Sequence, residues 1–227
     1  MSKNKEDMLG VTFDNTDKSF PYIDSDNSLF YIPFYKDIEY FDNYENKIKF
    51  VKGVESLVRK HAFYKKYKDY LINVVGMNTC QVLSNITTDD NVTIEMHHGP
   101  MLTLFDVCMI VTNYLIRTGC DRITTMYVAN IVIEEHRLNN VRVVLLCKSV
   151  HQKIDDDDII LNYNQGFGDT NAFLEKYKAG VDKSMRHNIN AYIKWSMEND
   201  SSDNDVFKIA ETLKSWGNND YEDLENL

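Results

Sequence analysis

The sequence has no CxxC pair, no apolar run of about 18 residues, no internal repeat and no heptad pattern. The missing CxxC spacing leaves Cys80, Cys108, Cys120 and Cys147 as separate thiols, expected to be reduced. The missing apolar run leaves no candidate membrane span. The N-terminus is polar and shows no secretory leader, so a cytoplasmic location is expected. Positive charge is also scarce. Against 35 acids stand 25 Lys and Arg, a net charge of −10, which argues against a general nucleic-acid coat protein.

What is present fits a globular chain. Hydrophobic residues make up 43% of the 227 positions and charged residues 26%, enough apolar material for a real core in one domain with extensions. The boundaries expected are a loose polar arm over 1–28, a main domain over 29–198, and an acidic helix and tail over 199–227. Charge is divided unevenly between these parts. From Lys47 to Lys68 eight Lys/Arg face one Glu, and from Glu198 onward nine acids face two lysines. A basic helix and an acidic tail in one chain suit a nucleic-acid protein better than the total does, although both are also ordinary solvated surfaces.

Periodicity divides the main domain. Residues 29–41 are aromatic around Pro33 and read as extended. Residues 45–75 read as one helix, with Ile48, Val51, Val54, Leu57, Val58 and Ala62 on an apolar face. Tyr64, Tyr67 and Tyr70 lie among Lys65, Lys66 and Lys68. They are either core residues or a stacking surface beside phosphate-binding lysines. Residues 91–98 alternate as a strand that ends at His97-His98, and Gly99-Pro100 forces a turn. Helices are expected over 102–117, with Gly119 as a stop, and over 124–137, capped by Thr124 or Thr125. A buried strand follows over 141–146, then a short helix from about Ser149, then helices over 170–198 and 204–215 anchored by Trp195 and Trp216. His136 reads as a stray ligand or as a cation at a helix C-terminus. His61 and His187 read as surface residues. The aspartates 155–158 read as a solvated loop or a second cation site.

One ordered constellation carries chemistry. His97 and His98 close a strand, Asn139 and Asn140 precede the next strand, and His151 and Asp155 stand four apart on a helix and so share a face. Two imidazoles and a carboxylate can hold a divalent metal that polarises a phosphate, and a neutral imidazole can deprotonate water.

The run Glu95-Met96-His97-His98-Gly99-Pro100, then Asn140, then Leu145-Leu146-Cys147-Lys148-Ser149-Val150-His151-Gln152-Lys153-Ile154, resembles the HNH (ββα-metal) endonuclease family over residues 80–155. The resemblance implies an α+β fold: a ββα-metal core with a large helical insertion and flanking helices. It implies hydrolysis of DNA phosphodiester bonds. His97, His151 and Asp155 would hold Mg²⁺ or Mn²⁺, His98 would be the general base, and Asn140 or Asn139 would orient it. Lys60, Lys65, Lys66 and Lys68 would bind the nucleic acid, and the acidic tail is a candidate site for a protein partner. The departures are specific. Val150 and the lone thiol of Cys80-Gln81-Val82-Leu83 replace family cysteines, so no structural zinc is expected. Asp155 replaces the usual final histidine, and the span from His98 to Asn139 is about twice the family's. The composition resembles that of large tailed bacteriophage proteins, which would place the chain in the host cytoplasm. The alternative expectation is a catalytically inactive phage protein of this fold that acts as a binding module in transcription, the virion or defence evasion.

Overall fold

A computed structural model describes residues 36–120, 122–156, 158–199 and 204–216. The arm expected over 1–28, the extended segment up to residue 35 and the acidic tail beyond 216 lie outside the described residues. Within them the fold is α+β and mostly helical, with a single two-stranded sheet.

The elements are α1 (Tyr44–Lys60), α2 (Ala62–Asn73), β1 (Ile94–His98), α3 (Leu104–Arg117), α4 (Thr125–Arg137), β2 (Val143–Cys147), α5 (Lys148–Asp155), α6 (Thr170–Lys176), α7 (Lys183–Asn199) and α8 (Asn204–Ser215). The stretch 45–75, expected as one helix, is two. His61 leaves helical geometry (φ −64°, ψ 138°), and its Nδ1 accepts the Phe63 N–H, so it ends α1 and caps α2. Residues 170–198 are likewise broken, by a 3-10 turn at Lys178–Gly180 that packs on α3. A Cβ on Gly180 would run into the Ile110 carbonyl, so only glycine admits that approach. Other starts follow their capping chemistry. Thr103 and Asp106 form a reciprocal box at α3, and the Thr124 hydroxyl accepts the Tyr127 N–H at α4.

Two cores result. The larger gathers α1, α3 and α4 around Val51, Val54, Val58, Ile110, Val128 and Val132, and α8 adds Ile209 and Leu213 to it. The smaller forms around the sheet, from Tyr67 and Leu71 of α2, Cys80, Ile94, the whole of β2, Val150 and Leu161. Every residue of β2 is buried, which is why it reads as an unbroken apolar run. The strands pair antiparallel, with His97 opposite Val144 and His98 opposite Val143, and α5 leaves directly from the end of β2 to pack on both strands. Helices α3 and α4 form the long connection between the strands.

Candidate functional site

Alternation along β1 separates its two histidines. Glu95 and His97 project from the face that meets α5, while His98, next along, enters the interior. On α5, one helical turn aligns His151 and Asp155. The result is a cluster of His97, His151 and Asp155, whose nearest ligand atoms all lie within 4.8 Å of one another.

The cluster has a defined internal order. Glu95 Oε2 holds His151 Nδ1 at 2.6 Å, which leaves His151 Nε2 as the free nitrogen, 3.7 Å from Asp155 Oδ2. Ligands about 2.1 Å from a shared ion stand roughly 3.0–3.4 Å apart, so a small closure would bring this pair onto one ion. A carboxylate behind a ligating imidazole is the usual way to set its tautomer and orientation. Spacing along β1 places Glu95 in the motif but does not show this role, which depends on a contact with α5. Burial lowers the pKa of His97, with a further push from His151, and keeps its ring neutral as ligation requires. Asp155 is 62% exposed, so the cluster is open to solvent on that side. Gly99 gives His97 room, since a Cβ there would stand 3.2 Å from His97 Nε2.

A cleft of about 370 Å³ runs past the cluster, lined by His97, His98, Pro100, Thr103, Asp155 and the apolar Ile154, Ile159, Ile160 and Leu161. His98 borders this cleft but is almost fully buried. Its Nε2 lies 2.9 Å from Nε2 of His136, and its ring is stacked on Tyr64 at 5.9 Å and 9°. Burial, and then the neighbouring His136, push the His98 pKa well below its ordinary value. His136 is not a surface cation at a helix end. It is wholly buried, edge-on to Tyr67, with Nδ1 2.7 Å from the Val132 carbonyl. Its place is legible on the helical wheel, because Val128, Val132 and His136 share one face of α4.

The two asparagines lie elsewhere. Asn139 has a left-handed backbone (φ +57°), and the N–H groups of Asn139 and Asn140 return to the carbonyls of His136 and Glu135, a Schellman closure of α4. Asn139 Oδ1 accepts from the Tyr67 hydroxyl at 3.1 Å, and Asn140 Nδ2 donates to Glu135 at 2.7 Å. Among the described residues neither hydrogen-bonds to His98. Glu135 is itself buried, and Lys176 and Tyr177 also donate to it. Burial alone would raise its pKa, but these donors outweigh that and lower it.

Of the basic residues, Lys60, Lys65 and Lys66 are exposed and Lys68 half-buried. Lys66 lines a separate groove of about 390 Å³ with Tyr70, Arg137 and Asn139, whose lining residues are distinct from those of the histidine cleft. Tyr67 belongs to the core. The cation whose charge reaches both His97 and His98 is Arg59, which also pairs with Glu55 at 2.7 Å. Cys80 and Cys147 are free buried thiols, and both belong to the smaller core around the sheet. No helix among the described residues is long and apolar enough to cross a membrane.

Comparison with known proteins returns one family. The model of the bacteriophage G278-like virion proteins matches residues 2–218. No curated protein and no solved structure matches the chain.

Proposed function

Starting from the premise that the chain belongs to the bacteriophage G278-like virion proteins, we propose that it is a metal-dependent nuclease of the HNH (ββα-metal) kind, hydrolysing DNA phosphodiester bonds. The observation that carries this reading is the convergence of His97, His151 and Asp155 on a strand pair and the helix that follows it, with Glu95 behind His151. An Mg²⁺ or Mn²⁺ ion bound there would act as a Lewis acid on the scissile phosphate. His97 offers a neutral imidazole and His151 an oriented Nε2. Asp155 adds negative charge at the cleft mouth, on the open side that a substrate phosphate needs. His98 borders the same cleft, and on this reading it would take the proton of the attacking water as the water oxygen bonds to phosphorus, once the pocket opens enough for water to reach its buried Nδ1. The ester oxygen then leaves and picks up a proton from solvent.

A second reading has its own support. Asn139 and Asn140 close α4 instead of approaching His98, which suits a virion component in which a bound ion clamps α5 to β1 without cleavage. One experiment separates the two. The full chain, His151→Ala and His98→Ala are incubated with plasmid DNA and Mg²⁺ or Mn²⁺, and metal binding is followed by calorimetry. The nuclease reading expects cleavage by the parent only, metal binding lost in His151→Ala, and metal binding kept in His98→Ala with turnover down about 10²–10⁴-fold. Metal binding without cleavage by any form selects the clamp. A parent that binds no metal removes both readings.

A further inference from the structure

We propose that His136 is the positioning residue for His98: it fixes His98 as the Nε2–H tautomer and leaves Nδ1 unprotonated. The argument starts at the Val132 carbonyl, which can only accept. His136 Nδ1 lies 2.7 Å from that oxygen and therefore carries the proton. The His136 ring is fully buried, and burial pushes its pKa down to about 4, so it is neutral at pH 7 and has only one N–H. Its Nε2 is then a lone pair. His98 Nε2 stands 2.9 Å from that lone pair and must donate to it. With that N–H committed to His136, a second proton on Nδ1 would be a buried donor with no partner among the described residues, so Nδ1 is the unprotonated nitrogen.

Two further observations agree with this assignment. His98 Nδ1 is buried and without a hydrogen-bond partner among the described residues, a state that a bare nitrogen tolerates better than an N–H left unpaired. The rings are also walled in. Tyr64 stacks on His98, and Tyr67 meets His136 edge-on at 87°, so neither imidazole is free to turn over. In the sequence-based expectation this orienting role fell to Asn140 or Asn139. In the structure an imidazole from α4 occupies the position next to His98.

The use of this arrangement in catalysis rests on the nuclease reading, but the tautomer itself can be measured without activity. In ¹⁵N-labelled full-length protein, long-range ¹H–¹⁵N correlation spectra identify which nitrogen of each ring carries hydrogen. The expected result is Nε2–H for His98 and Nδ1–H for His136. His136→Gln can keep an acceptor near the lost Nε2 and should preserve the His98 tautomer and most of the cleavage rate. His136→Phe removes the acceptor. It should release His98 into a mixture of tautomers and lower kcat by about 10²-fold or more, with metal affinity unchanged. The expected tautomers in a protein that cleaves no DNA would uphold the positioning and overturn only the nuclease reading. His98 found as Nδ1–H in the parent would overturn the positioning whatever the activity. So would an unaltered His98 tautomer in His136→Phe. If His136→Phe does not fold, the parent spectrum and His136→Gln decide the matter.

Discussion

Acid should weaken this fold well before its carboxylates are protonated, and His136 sets the size of the effect. An exposed histidine in the unfolded chain titrates near 6.5, whereas burial holds folded His136 at about 4. The folded value is the lower one, so as pH falls the unfolded chain takes up the proton first. The stabilisation is complete above about pH 6.5, is lost as pH falls below that, and is fully lost near pH 4. Each pH unit in that window costs about 1.4 kcal/mol, so the shift of roughly 2.5 units amounts to about 3 kcal/mol. That is a large share of a typical domain stability of about 5–15 kcal/mol. His98, whose value burial also lowers, acts in the same direction. The assay is urea unfolding followed by circular dichroism at several pH values between about 7 and 4.5, on the parent and on His136→Gln, which cannot titrate. The gap in stability between them should narrow by 2 kcal/mol or more across the range, as the parent loses what the variant never had. Two curves that stay parallel would refute the reasoning.

Three further outcomes are expected. Glu95→Gln should weaken Mn²⁺ binding by about 10-fold in calorimetry, because the charge behind His151 is lost; parental affinity in a protein whose His151→Ala variant does not bind would remove Glu95 from the site. Gly180→Ala should cost about 2 kcal/mol in urea unfolding, since its Cβ meets the Ile110 carbonyl and the turn must back away from α3; an unchanged midpoint would show that the turn adjusts freely. Replacing Lys65, Lys66 and Lys68 with Ala should flatten the salt dependence of DNA affinity by about one unit per lost phosphate contact; an unchanged slope would move the DNA contacts off α2.

The strand at Ile94–His98, the buried strand after Asn140 and the His151/Asp155 pair were legible because each rests on a short-range period: two along a strand, four along a helix. The break at His61 was not. Arg59-Lys60-His61 contains no proline or glycine, and the apolar pattern of α1 runs on toward α2, so the cap depends on a side-chain hydrogen bond that periodicity does not record. The break before α7 left a sign in Gly180, whose reason is a distant carbonyl on α3. The site divides in the same way. His97, His151 and Asp155 follow from local spacing. The partnership of His98 with His136 joins elements from two regions of the chain, and although the helical wheel of α4 marked His136 as inward, nothing local named its partner. Asn139 and Asn140 had a local explanation as a helix ending, and the structure uses them for that.

The strand that carries His97 and His98 is joined to its partner through two complete helices, and this bears on the order of folding. His98 and Val143 face each other across the sheet, yet all of α3 and α4 intervenes between them. Closing so long a loop costs entropy before any strand contact is made. Helices form from local contacts, so the sheet is expected to pair after the helices that join its strands have packed. The cluster of His97, His151 and Asp155 is split between β1 and α5, on either side of that loop, and comes together only once it has closed. A fragment ending before Val143 would therefore hold His97 without His151 and Asp155, while His98 would keep His136. In a chain still being synthesised, the cluster would not exist until the segment through Asp155 had emerged and docked.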